Sequence, residues 1–378
     1  MKKLAITIFF DALGLMLLGL IIVMSASSTY SVIRFDGVFH LFNSHLFKVG
    51  VAFVFMILFS MIPYKSYKEI CKPAMFVIVA VLVVTLFIAP SIKGAGRWLD
   101  IGFMSVQPAD IARLLLLIHL AYLLEDKQDR LDNYQLGFMP MFIWITLVSS
   151  LIMFQPNFST GILLVIISLT VLYVGGARLK HIFSSLGVFL AIGGIAAMIY
   201  PHSRGRIISF VTSIQNGSDL NLQVKQALYS LGSGGIFGIG VGNSMQSNLF
   251  LPEAYGDFIF AILGEELGFI GSVVVLSGYL LLFVTGILIA KKAQDRFGKI
   301  LAFGITFSIA TYALVNVGVT TGLLPTTGLP LPFISYGGTS LLFLCIGVGI
   351  LINIALSNQK KSKTDDDSFN EPLTEAGV

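Results

Sequence analysis

Between Asp132 and Arg178 the chain runs for 45 residues without one charged side chain. Backbone polar groups along such a stretch, placed in hydrocarbon, must bond to one another, which leaves a helix as the only spanning structure for a single run. Gln155-Pro156-Asn157 breaks the stretch near its middle and removes a backbone donor. It therefore reads as two spans joined by a tight turn. With 56% hydrophobic and 12% charged residues and a mean hydropathy of +0.88, the whole chain repeats this pattern, far from the quarter or so of charged residues typical of a soluble domain.

Counted the same way, the apolar runs number ten: 12–30, 49–62, 73–89, 108–124, the pair within 133–177, 182–200, 258–290, 300–321 and 337–356. The expected fold is an all-α polytopic membrane protein of about ten transmembrane helices. Met1-Lys2-Lys3 and an apolar stretch ending in Ser25-Ala26-Ser27-Ser28 imitate a signal peptide. The 22 uncharged residues between Asp11 and Arg34 are long enough for an uncleaved first span. One transmembrane domain is expected over 1–357, with a charged cytoplasmic tail, disordered, over 358–378.

Lysine and arginine bias sets the orientation. With the N-terminus inside, sixteen basic residues fall on the cytoplasmic side and seven outside, namely Arg34, Lys48, Lys93, Arg97, Arg204, Arg206 and Lys225, while Arg113 lies within a span. Both termini are then cytoplasmic, and 201–256, the one long polar and glycine-rich interval, is extracytoplasmic. A formal charge of +4, scattered along the chain, suggests no nucleic-acid surface. Cys71 and Cys345 have neither metal-ligand spacing nor the pattern of a disulfide framework.

Four polar clusters converge on the extracytoplasmic face: Gly94-Ala95-Gly96-Arg97-Trp98, Gln155-Pro156-Asn157-Phe158-Ser159-Thr160, the 201–256 loop, and 325–338. At the end of the loop, Leu251-Pro252-Glu253-Ala254-Tyr255-Gly256-Asp257 places a carboxylate where an apolar helix begins. The helix dipole favours the anion there while partial burial favours the acid, a combination suited to a general base. The same position also suits a plain helix N-cap. Glu265 and Glu266 lie about 12 Å deeper on a continuous helix at roughly 1.5 Å per residue, where a carboxylate lines a cavity or meets a cation. Asp110 and Arg113, spaced i,i+3, are expected to pair with each other. Residues 223–231 read as an amphipathic surface helix. The glycine-rich 232–242 that follows allows either tight turns or contact with a lipid diphosphate or sugar, but lacks the strand and helix of a nucleotide loop.

Gly94 to Trp98, Gln107-Pro108, Gln223 and Gln226 before Gly232-Ser233-Gly234-Gly235, 251–260, Gly264-Glu265-Glu266-Leu267-Gly268, and 322–340 (GLLPTTGLPLPFISYGGTS) together resemble the SEDS family, in that family's order and over nearly the whole chain. The wording around Asp257 and before the last span is closer to its division branch than to its elongation or sporulation branches. The resemblance implies a peptidoglycan glycosyltransferase of the bacterial cytoplasmic membrane, acting at the septum on lipid II, an undecaprenyl-diphosphate-linked disaccharide peptide. It also implies a class B penicillin-binding protein and other division proteins as partners. Asp257 takes the place of the family's essential aspartate. Arg97, Trp98, Lys93, Gln155, Arg204, Arg206, Lys225, Gln226, Glu253 and Ser335 are candidate substrate contacts, Arg97 first among the cations. A divalent ion, Mg or Mn, held partly by Asp257 is the alternative charge partner for the diphosphate. Two departures stand out: Gln107-Pro108-Ala109-Asp110 with Arg113 replaces the usual glutamate and lysine, and Tyr255-Gly256 replaces His-Thr before the aspartate. A lipid II flippase, an elongation polymerase and a non-catalytic scaffold are the rival readings.

Overall fold

A computed structural model describes residues 1–88, 97–100, 105–199, 205, 208–212, 221–246, 251 and 254–369. The chain is an all-α, multi-pass membrane protein. Among the described residues the principal helices are α1 (Lys2–Phe35), α2 (His40–Met61), α3 (Tyr67–Ile88), α4 (Pro108–Asp126), α5 (Met139–Phe154), α6 (Phe158–Val174), α7 (Leu179–Ile199), α8 (Leu222–Ser233), α9 (Ile259–Lys292), α10 (Arg296–Thr320) and α11 (Thr339–Phe369). All but α8 overlie the ten expected runs. Seven segments are long and apolar enough to cross a membrane by length and composition; α6 and the apolar part of α7 are shorter. α4 falls outside both sets and carries Asp110 and Arg113 on a helix most of whose residues are buried.

That burial follows from position. α4 packs against α3, α5, α6, α10 and α11, and α10 in turn against α4, α6, α9 and α11, so these helices form the inside of the bundle. α2 and α3 leave most of their surface outward, with Phe47, Phe76, Phe87 and similar side chains exposed, as lipid-facing helices do. α11 continues to Phe369, beyond residue 357 where a disordered tail was expected.

Two features escaped the hydropathy pattern. Leu99–Asp100 (β1) and Ser105–Val106 (β2) pair antiparallel, Leu99 opposite Val106, forming a small ribbon that leads from Arg97-Trp98 into α4. The second is a break in α9: Gly268 has φ 69° and ψ −165°, so the expected single run 258–290 is two helical pieces. The glycine-rich segment is spliced into that break. Phe269 N donates to Gly235 O (2.9 Å) and Ile270 N to Ile236 O (3.2 Å), while Ile239 N and Gly240 N donate to the carbonyls of Glu265 (3.0 Å) and Glu266 (3.1 Å). Backbone groups that the break would orphan are thereby satisfied. A Cβ on Gly238 would lie 2.1 Å from Glu266 O and one on Gly268 2.3 Å from Gly238 N, so both glycines are required by contact as well as by their positive φ.

Candidate active site

The turn 254–258 brings Asp257 to the head of α9. The helix N-cap is Phe258, with no side-chain cap hydrogen bond, so Asp257 stands one residue outside the helix and the N-cap reading does not hold. Asp257 is half-buried. Arg97, also half-buried, is its electrostatic neighbour: burial holds the Arg97 guanidinium below its ordinary range, and the Asp257 carboxylate opposes that shift. Two clusters 160 residues apart in sequence thus meet at one place. Trp98 follows Arg97, half-buried, at the base of the β1–β2 ribbon.

The backbone leading into Asp257 is held by three donors. Tyr336 N donates to Tyr255 O (2.9 Å), Ser335 Oγ to Gly256 O (2.7 Å), and Asn316 Nδ2 to Asp257 O (2.8 Å). The same Asn316 nitrogen also donates to Leu329 O (2.8 Å). Ser335 Oγ accepts from Leu331 N (2.7 Å), so its hydroxyl is committed to backbone on both sides. Tyr279 OH donates to Pro332 O. Phe333, buried, sits at φ 66°, a left-handed conformation costly for a non-glycine residue. Opposite it, Gly19 of α1 lets the chain pass: a Cβ there would lie 2.7 Å from Ile334 Cα.

Around this segment the rings of Tyr30, Tyr255 and Tyr336 form a chain with centroids 5.4 and 5.5 Å apart. Lys48 Nζ donates to Tyr336 OH (2.9 Å) and lies 4.4 Å from that ring's centroid, and the His45 ring centroid lies 5.4 Å from it. Lys48 was counted among the outer cations, but its place beside the site carried no sequence signal. Asn316 was missed because it is uncharged; the available clue was a carboxamide inside an apolar run, where burial demands partners.

Glu265 and Glu266 are buried and serve the spliced loop. Glu265 accepts from Ser230 Oγ (2.8 Å), Ser244 Oγ (2.6 Å) and Met245 N (3.2 Å), and Glu266 from Ser25 Oγ and Gly242 N (3.1 Å). The break at Gly268 lies just beyond both glutamates, which stay on the continuous first piece of α9 that begins at Ile259. With Ile239, Gly240 and Gly242 amides committed in this way, the glycines act as turn and close-contact residues. Asp110 and Arg113 pair at 3.6 Å, and the guanidinium lies 4.2 Å from the Tyr312 ring centroid. A cavity of about 20 Å³ beside them, lined by Arg113, Ser308 and apolar groups of α4, α10 and α11, has room for about one water.

The other candidates are dispersed or undescribed. Gln155 is buried and donates from Nε2 to Leu82 O (2.9 Å), fastening the α5–α6 turn to α3. Lys225 is exposed on α8, 5.9 Å from the Tyr229 ring centroid, and Gln226 is half-buried on the same helix. Lys93, Arg204, Arg206 and Glu253 lie outside the described residues. Among the described residues no three His, Cys, Asp or Glu side chains are grouped as a metal site, so no step is derived through a metal ion.

The profile of the cell cycle protein family that unites FtsW, RodA and SpoVE matches residues 5–360. The chain belongs to that family. Stage V sporulation protein E of Bacillus subtilis (strain 168) is 35% identical over 90% of this chain and 94% of its own. The probable peptidoglycan glycosyltransferase FtsW of Trichlorobacter lovleyi is 36% identical over 89% of each chain. Its counterpart in Coxiella burnetii is 32% identical over 95% of this chain and 99% of its own. The fold is that of the Rod shape determining protein RodA of Thermus thermophilus, with TM-score 0.68, 22% identity, and 93% of this chain and 96% of that one covered. A chain from a peptidoglycan synthase complex gives TM-score 0.74 at 21% identity, covering 93% of this chain and 97% of its own.

Proposed function

We propose that this chain is a peptidoglycan glycosyltransferase that polymerises lipid II on the outer face of the bacterial cytoplasmic membrane. The observation that carries the reading is that Asp257 stands in the field of Arg97 at the head of α9, in a family several of whose relatives are named for this activity. Asp257 takes the proton from the 4-hydroxyl of the acceptor sugar. The freed oxygen forms a bond to the anomeric carbon of the second lipid-linked sugar, and the bond from that carbon to the diphosphate breaks with its electron pair. Undecaprenyl diphosphate leaves as an anion and needs no proton; attack from the opposite side inverts the centre, and the proton on Asp257 passes to water. Arg97 supplies fixed positive charge to the leaving diphosphate. The half-buried setting of both groups strengthens that interaction relative to water.

A class B penicillin-binding protein is the partner that crosslinks the new strand, as the likeness to a chain of a synthase coordinating polymerization and crosslinking suggests. Likeness to FtsW proteins and the wording of 322–340 support placement at the septum. The test is polymerisation of lipid II in detergent by the purified chain with that partner, where no transport across a membrane can be scored. Asp257→Asn should abolish glycan strands while still folding and binding the partner. Strands of normal length from that variant would remove Asp257 as the base, and a parallel reaction with chelator decides whether a divalent ion takes part.

A further inference from the structure

We propose that Asn316 is a positioning residue that fixes the aim of the Asp257 carboxylate, a role that rests on Asp257 being the base. Asn316 lies on α10 and is 1% exposed. Its Nδ2 reaches two carbonyls, Asp257 O and Leu329 O, each at 2.8 Å. The carboxamide cannot be turned over, because Oδ1 would then face two carbonyl oxygens with no hydrogen between them.

Its importance comes from where those carbonyls sit. Asp257 precedes the N-cap Phe258, so no helix ladder holds its backbone. The turn 254–258 is held instead by donors to three consecutive carbonyls, and two of the three, Ser335 Oγ and Tyr336 N, belong to the segment leading to α11. Asn316 differs from the other two in coming from α10, outside both segments: its carboxamide nitrogen fixes Asp257 O and also holds the segment leading to α11 at Leu329 O. Its own backbone is well held, since Thr320 Oγ1 donates to Asn316 O (2.9 Å) within a helix of the bundle interior. The side chain therefore transmits the position of a rigid helix to the residue that must meet a sugar hydroxyl. Displacing a reacting group by about 1 Å can cost on the order of 100-fold in rate.

Asn316→Leu keeps similar volume and removes both donors, Asn316→Asp makes the group acceptor-only, and Asn316→Gln keeps the donors on a longer arm. In the lipid II assay with the penicillin-binding partner, Asn316→Leu should lower kcat on the order of 100-fold and leave KM nearly unchanged. Lipid II affinity, measured in the inactive Asp257→Asn background, should not move when Asn316→Leu is added. Asn316→Gln should recover part of the rate and Asn316→Asp none. Wild-type kcat in Asn316→Leu, or a fall in lipid II affinity as large as the fall in rate, overturns the assignment. If Asn316→Leu does not fold, equal rates for Asn316→Gln and Asn316→Asp overturn it instead. Activity in Asp257→Asn itself would count against the base, whereas an inactive Asp257→Asn beside a fully active Asn316→Leu would count against Asn316 alone.

Discussion

In the proposed mechanism a carboxylate and a guanidinium that share one end of the bundle have opposite tasks, one receiving a proton and the other meeting negative charge. The Arg97 side chain is the easier of the two to grade. Arg97→Gln removes a preorganised charged donor, and loss of even a neutral preorganised donor typically costs about 100- to 1000-fold in kcat. Arg97→Lys should fall between that variant and the wild type, since an ammonium keeps the charge but not the planar fork. Steady-state rates with lipid II check both, and a wild-type kcat in Arg97→Gln would mean that the diphosphate is stabilised elsewhere. At this scale the sequence was informative where a residue is charged: Asp257 and Arg97 stand out because a charge beside an apolar run is costly. Asn316 and Tyr336 did not, because a neutral polar side chain among apolar neighbours looks the same whether it bonds its own helix or a distant carbonyl. Ser335 was legible as polar and placed in the right segment, but its partners turned out to be backbone.

At the scale of elements, the apolar runs fixed the helices and said little about their interruptions. A lone glycine such as Gly268 inside an apolar run is ordinary in a helix, and nothing local reveals that a second glycine-rich segment supplies the missing hydrogen bonds. That dependence yields a prediction. Gly238→Ala places a Cβ 2.1 Å from Glu266 O at φ +82°. The left-handed conformation alone costs roughly 1–2 kcal/mol for a non-glycine residue, and the contact adds to it. The four bonds joining 235–240 to 265–270 should weaken together, so amide hydrogen exchange should accelerate in peptides covering both stretches, with α10 as an unchanged internal control. Protection equal to wild type would mean that the break in α9 stands without the loop.

The whole molecule has two ends with different chemistry, and the contacts sort them without reference to a membrane. At one end lie Asp257, Arg97, Lys48, Ser335, Tyr336 and the Gln107 N to Thr339 Oγ1 bond that joins the heads of α4 and α11. At the other, Lys68 bridges Glu125 and Asp295, Tyr64 OH donates to Asp295, Tyr64 N donates to Asn353 Oδ1 (2.8 Å), and Arg296 donates to Gly175 O (2.6 Å). These interactions tie together the opposite ends of α3, α4, α6, α10 and α11, and lysine and arginine are concentrated there, the bias expected of a cytoplasmic end. The proposed mechanism requires donor and acceptor lipids to reach Asp257 from the outer leaflet. Both native cysteines, Cys71 and Cys345, are buried, so single introduced cysteines can be read against a low background. Lys225→Cys on exposed α8 should react with a membrane-impermeant maleimide in intact cells, and Asp129→Cys, exposed between α4 and α5, only after permeabilisation. The reverse pattern would place the carboxylate and its guanidinium on the cytoplasmic side, where no outer-leaflet sugar could reach them, and the glycosyl-transfer mechanism would have to be abandoned along with the site.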